Sequence, residues 1–275
     1  MDDRENQIKQ EKQETQEIQK IQETQKIQET QKTQEKQEPQ ETKAAVILAA
    51  GSGRRMNAPV AKQFLDLMGS PVFLHSVRIF DKVADKIVLV TSPDAVAYCR
   101  SLLAEEHLHA ETIVVAGKSE RFLSSMEGVK AASDCDLIMI HDAARACVSM
   151  DVIQNSIAST KTYGSGVAAV PLKDTVKVAD ENGMVFSTPD RSTLRVIQTP
   201  QTFKREVICT AYERLAHIIE TKGLQAAGLI TDDAMVVEQF TDNHVYLSEG
   251  SYENIKLTTP EDMTAAQGIL ANRGK

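Results

Sequence analysis

The chain has 275 residues with 31 Lys/Arg against 39 Asp/Glu, a formal net charge of −8. This acidic balance excludes general nucleic-acid binding, which depends on clustered basic side chains and counterion release. No apolar run reaches the roughly 20 residues that span a bilayer, so no membrane partner is expected either.

The first 43 residues differ from the rest. Glutamine recurs at every third position from Gln7 to Gln40, aromatic residues are absent, and the apolar side chains are Met1, Ile8, Ile18, Ile21 and Ile27. So little apolar surface cannot offset the entropy of ordering a backbone, which predicts a disordered low-complexity tail over 1–43 and a single folded domain over 44–275. A coiled coil is disfavoured because a strict three-residue period precesses around a helix and the isoleucines form no sustained seam. The tail also lacks the apolar core of a secretory signal and is too acidic for a transit peptide. Cys99, Cys135, Cys147 and Cys209 have neither C-x-x-C spacing nor clustered histidines. A cytoplasmic protein with reduced, mostly buried thiols is therefore expected.

The folded part opens with Ala44-Ala45-Val46-Ile47-Leu48-Ala49-Ala50, an apolar run that enters Gly51-Ser52-Gly53-Arg54-Arg55-Met56 and then reaches Lys62-Gln63-Phe64-Leu65. A buried strand thus delivers a glycine-rich cationic loop. Glycines let backbone N–H groups approach an anion, while Arg55 and Lys62 can neutralise phosphate charge. A dinucleotide-binding fingerprint would need glycine where Met56 stands, and Gly117-Lys118-Ser119 lacks the first glycine of a Walker loop because Thr112 holds that place.

Downstream, the pattern predicts a helix over 72–80, a strand over 86–90, a helix from Ala95 to Leu103, and a strand over 111–115. A helix follows with Ser119 as its N-cap, then a strand over 137–140. Continuous rather than alternating apolar runs imply a parallel sheet covered on both faces. Asp142, just past the 137–140 strand, stands where ligands of such sheets bind, and can serve equally as a metal carboxylate or as an N-cap. A strand is predicted over 167–170. The rhythm then changes: Glu181-Asn182-Gly183 is a hairpin turn signal inside an arm spanning about 172–198, and a short hairpin cannot bury both of its faces alone. Gln198-Thr199-Pro200-Gln201 predicts a break, followed by a helix over 204–217 and another over 234–240 capped from Thr231-Asp232-Asp233. Strands are predicted over 244–247 and 254–258. The final helix starts at Thr259-Pro260-Glu261-Asp262.

Ala-Ala-Gly-x-Gly-x-Arg-Met with the following Lys-Gln-Phe-Leu resembles the signature loop of the sugar-phosphate nucleotidyltransferases, most closely the methylerythritol phosphate cytidylyltransferase family. His141-Asp142-Ala143-Ala144-Arg145 matches a second family phrase. Asp-Thr-x-Lys, Gln-Thr-Pro-Gln, Thr-Asp-Asp and Asn-Ile-Lys-x-Thr follow in the family's order, so the likeness covers 44 to about 270. Two positions where the family usually has proline carry Ala61 and Ala146.

The resemblance implies an α/β, Rossmann-like fold of the nucleotide-diphospho-sugar transferase type, with a mostly parallel sheet and a projecting β-hairpin arm. It implies CMP transfer from CTP to methylerythritol phosphate with release of pyrophosphate. Arg55, Lys62 and Lys256 are then catalytic, and Ala49, Ala50, Gly51, Gly53, Ser119 and Ser124 bind the nucleotide. Asp142, Thr175, Arg191 and Thr231 bind the sugar phosphate, with Asp142 also holding Mg²⁺. The arm implies a homodimer in which Thr175 and Arg191 reach the neighbour's site. The alternatives are a ribitol-5-phosphate cytidylyltransferase and a non-catalytic nucleotide-binding scaffold.

Overall fold

The computed structural model describes residues 41–51 and 61–273. The expected tail, and with it the calls on Gly53 and Arg55, lies outside the described residues except for the tail's last three positions. A compact unit runs from Thr42, and the first strand starts at Lys43, slightly ahead of the expected boundary.

Seven strands build the main sheet. They are β1 (Lys43–Ala49), β4 (Lys86–Thr91), β5 (Glu111–Ala116), β6 (Leu137–Asp142), β7 (Ser165–Pro171), β10 (Arg195–Lys204) and β11 (Leu247–Glu249), in the spatial order β11-β7-β10-β6-β1-β4-β5. Two short ribbons add β2 (Asp66–Leu67) with β3 (Ser70–Pro71), and β8 (Val178–Ala179) with β9 (Val185–Ser187). Every neighbouring pair in the main sheet is parallel except those made by β10, which runs antiparallel to both β6 and β7. The α/β sheet is thus mostly parallel, as the resemblance implies, with β10 as an antiparallel strand that the apolar runs did not imply.

The helices are α1 (Val72–Phe80), α2 (Val96–Glu105), α3 (Arg121–Ala131), α4 (Met150–Tyr163), α5 (Arg205–Lys222), α6 (Asp233–Phe240) and α7 (Pro260–Arg273). Val46, Val88 and Ile140 face one apolar core with side chains of α3 and α5, while Ile47, Leu89 and Met139 face another with α1, α2 and α4. Successive strand residues therefore feed opposite cores, which is why these strands read as continuous apolar runs.

Strand order reverses about β1: β4 and β5 lie to one side, and β6 lies on the other. That reversal makes the carboxyl ends of β1 and β6 the ligand crevice, with Leu48 and Asp142 in register across it. Helix α3 sits close against the strands there. A Cβ on Gly128 would stand 2.3 Å from Val46 Cγ1, so only glycine allows this approach.

Four local expectations need correction. The segment 198–201 is no break but part of β10, whose pairing with β7 slips between Ile197 and Gln201. The bulge accommodates the proline that a regular ladder would reject. Residues 254–258 form a loop rather than a strand. Ser119 does not cap α3, whose N-cap position is Glu120 with no side-chain capping bond. Asp142 ends β6 rather than following it. Helix α4 was not expected at all, although Ser149 accepts a hydrogen bond from Val152 N and Gly164 closes its end at φ 87°.

Candidate active site

A cavity of about 360 Å³ opens above the carboxyl ends of β1 and β6. Its lining brings together Ala49, Ala50, Gly51, Lys62, Ser119, Ser124, Asp142 and Lys256, eight of the residues expected from the sequence. A second cavity of about 210 Å³ takes in Thr231, Arg145, Gln198, Thr199 and Gln201. Arg121, Asp142 and Lys256 line both, so they form the seam between two adjoining compartments. Thr175 and Arg191 line neither cavity and are exposed on the arm, where Arg191 Nη1 donates to Lys173 O at 2.9 Å.

The backbone side of the larger cavity is fixed by side chains from nearby turns. Buried Gln63 donates from Nε2 to Ala49 O at 2.6 Å, which holds the last residue of β1. Lys62 precedes it in a 3-10 turn (Lys62–Phe64), and its ammonium donates to Leu257 O at 2.8 Å. Across the cavity, Ser124 Oγ accepts from Lys118 N at 3.0 Å and donates toward Glu120 O at 3.1 Å. Ser124 thus shapes the loop ahead of α3. Gly117 in that loop must lack a Cβ, which would lie 2.6 Å from Ala50 Cβ.

Asp142 is the electrostatic centre. Its side chain is only 11 % exposed; Lys256 Nζ lies 2.7 Å from Oδ2 and Arg121 Nε 3.2 Å from Oδ1. Burial alone would push the carboxyl pKa upward, but Arg121 and then Lys256 hold it far below the usual range. The group is an anion at any working pH. Its backbone is fixed too, because Asp142 N donates to Thr199 Oγ1 at 3.0 Å. Thr199 Oγ1 also lies 3.0 Å from His141 Nδ1, so one hydroxyl joins the strand backbone to the buried ring. His141 is fully buried, and burial drives its pKa down to about 3. It is therefore a neutral structural ring near pH 7, not a general base.

Arg121 and Asp233 carry functional geometry that the sequence reading missed. Arg121, the first residue of α3, extends Nη2 to Asp233 Oδ2 at 2.8 Å while its Nε faces Asp142. Burial opposes its charge, but Asp233 and then Asp142 raise its pKa above the ordinary value. Asp233, fully buried at the start of α6, also accepts from the Tyr212 hydroxyl at 2.6 Å. Gln201 Oε1 accepts from Asp233 N at 3.0 Å and Ala234 N at 2.9 Å. Asp232 caps the same helix through Met235 N. One path of contacts thus joins the smaller cavity to α3.

Asp233→Leu should leave Arg121 with a single carboxylate and the Tyr212 hydroxyl without its acceptor. The expected loss is roughly 2–4 kcal/mol, the lower end allowing for partial exposure of Arg121. Chemical denaturation checks this, and an unchanged midpoint would show that the pair does not stabilise the fold.

Among the described residues, no group of three or more His, Cys, Asp or Glu gathers to form a protein-only metal cage. Asp142 nevertheless fits a hard divalent cation that takes one carboxylate, waters and substrate phosphates, since it is ionised and faces both compartments. Also among the described residues, no helix is long and apolar enough to cross a membrane.

A family model described as 2-C-methyl-D-erythritol 4-phosphate cytidylyltransferase matches residues 43–272. A relative of that name from Lachnospira eligens is 40 % identical over 224 residues, covering 81 % of this chain and 96 % of its own. One from Clostridium botulinum (strain 657) is 39 % identical over 230 residues, covering 82 % and 96 %. The crystal structure of 4-diphosphocytidyl-2C-methyl-D-erythritol synthase from Anaerococcus prevotii superimposes with a TM-score of 0.70 at 30 % identity, covering 84 % of this chain and 99 % of that one. The match spans both cavities and every described residue that lines them, and the chain belongs to the 2-C-methyl-D-erythritol 4-phosphate cytidylyltransferase family.

Proposed function

We propose that the chain transfers CMP from CTP to 2-C-methyl-D-erythritol 4-phosphate and releases pyrophosphate, a step in isoprenoid precursor synthesis. The observation that carries this reading is the seam. An ionised Asp142 lies between Arg121 and Lys256 where a compartment edged by strand-end backbone meets one lined by Arg145, Gln201 and Thr231. Nucleotide and sugar phosphate in adjoining compartments would meet at those charges.

A phosphate oxygen of the sugar substrate attacks the α-phosphorus of CTP in line. The bond from that phosphorus to the bridging oxygen breaks, and pyrophosphate leaves with the electron pair. Lys62 and Lys256, with Arg55 from the glycine loop, stabilise charge growing on the α-phosphate and on the leaving group. Asp142 would hold Mg²⁺, which when bound supplies charge neutralisation across the phosphates. Ala49, Ala50 and Gly51 present backbone groups to the base, with Ser119 and Ser124 on the facing side. Thr231 lies on the sugar-phosphate side.

The chain acts as a homodimer in this reading. Val176, Val178, Met184, Val185 and Phe186 are all exposed on the arm, and a two-stranded ribbon has no other face to cover them. A second copy would cover that surface and receive Thr175 and Arg191. A cytoplasmic location is supported by the four cysteines, all of them free thiols.

The test is a turnover assay with CTP and either methylerythritol phosphate or ribitol phosphate, reported as a ratio of kcat/KM values. Preference for ribitol phosphate would overturn the substrate assignment, and no turnover with either would leave only a binding protein. In the same assay CTP should exceed UTP by roughly 10- to 100-fold, because uracil presents an acceptor where cytosine donates and a mismatched buried pair costs about 1–3 kcal/mol. Equal use of UTP would show that these backbone groups do not read the base.

A further inference from the structure

Lys256 stands on a segment, 250–259, that belongs to no helix or strand. A lysine on an irregular loop has many accessible positions, yet its ammonium is 2.7 Å from Asp142 Oδ2. The origin of that order lies two residues earlier. Asn254 is fully buried, and its Nδ2 donates to Thr199 O at 2.8 Å and Gln198 Oε1 at 3.3 Å. Gln198 in turn donates from Nε2 to Ser251 O at 2.8 Å and accepts from Ser251 N at 3.3 Å. The loop is thus clasped at two points onto the bulge of β10. Gly250 permits the approach, since a Cβ there would stand 2.5 Å from Gln198 Oε1.

Thr199 is also the residue that holds Asp142 N. Asn254 consequently fixes the loop of Lys256 to the same residue that anchors the carboxylate paired with Lys256. Two further bonds close the frame: Arg145 Nη1 donates to Asn254 O at 2.7 Å, and Leu257 N donates to Ala144 O at 2.8 Å.

We infer that Asn254, backed by Gln198, is a positioning residue that sets the Lys256 ammonium for the transfer step and ties it to the strand leaving the arm. The inference rests on the catalytic reading of Lys256. Asn254 itself touches no reacting group. Its amide nitrogen is spent on the clasp, so the effect on turnover passes through the lysine.

A double-mutant cycle in the full-length protein tests this. Asn254→Ala should lower kcat about 30- to 100-fold, the scale of moving a reacting group by roughly an ångström. The KM for CTP should change less than about threefold, because the loop clasp lies apart from the backbone edge that meets the nucleotide. In a Lys256→Ala background, with turnover measured at enzyme in excess over CTP, the same change should have less than about a twofold effect. Gln198→Met keeps the volume, removes both bonds to Ser251, and should show the same dependence on Lys256; it carries the test if Asn254→Ala fails to fold. A merely structural asparagine would lower stability and give multiplicative losses in both backgrounds, which would overturn the inference, as would native turnover in the folded variants. If Lys256→Ala alone retains native kcat, the catalytic reading falls and takes this inference with it. If Lys256→Ala is impaired while the clasp variants are not, only the inference falls.

Discussion

Lys62→Ala is expected to lower kcat by at least about a hundredfold, the scale of losing one preorganised electrostatic contact at a reacting phosphate. The loss has two sources in the structure. The ammonium lines the larger cavity, and it also donates to Leu257 O, next to Lys256. Alanine therefore removes one cation and loosens the neighbourhood of another. The 3-10 turn itself should survive, because Gln63 remains bonded to Ala49 O. Thermal unfolding close to the parent, together with the fall in kcat, is the expected pair of results. Near-normal turnover would remove Lys62 from the mechanism.

The second large effect concerns the arm. Lys62→Ala and Arg191→Ala should each be nearly inactive as homodimers if Arg191 works in the neighbour's site. Lysine could not substitute for arginine there, because a bidentate grip on phosphate oxygens needs the planar fork. After subunit exchange at equal concentrations, half the dimers are mixed and each has one site with both residues present, so activity should return to about a quarter of the parent value. Exchange is verified with two differently tagged chains. If mixed dimers form and stay inactive, Arg191 does not act across an interface, and the arm serves assembly alone.

Much of this arrangement is legible in the residues themselves. β1, β4 and β6 are buried on both faces, so their side chains leave an unbroken apolar signal that no amphipathic element would give. Lys62, Asp142 and Lys256 stand out because short phrases surround them, and the structure brings all three to one cavity. Helix α4 is poorly legible because its buried stripe includes Ser156 and Thr160 among the apolar residues, which weakens the helical period. Ser149 and Gly164 were the surviving signals at its ends. The segment 198–201 reads as a turn by composition, yet a bulged strand holds it, and its glutamine side chains bond to Asn254, Ser251 and the start of α6. Arg121 and Asp233 are far apart in the chain, and their pairing exists only once α3 and α6 have packed beside the sheet. No local pattern encodes such a meeting.

The arm leaves the sheet after Pro171 and returns at Arg195, and these two residues are paired partners across β7 and β10. The excursion is therefore topologically a long hairpin loop whose two ends are already clamped together. Its length can change with little penalty, since each doubling of a flexible loop costs only about 0.6 kcal/mol in closure entropy. Insertions, deletions or wholesale exchange of residues 172–194 would leave the register of the seven strands untouched. In the proposed dimer the arm can thus vary in length and surface around Thr175 and Arg191, while the strand ends lining the cavity stay under separate constraint.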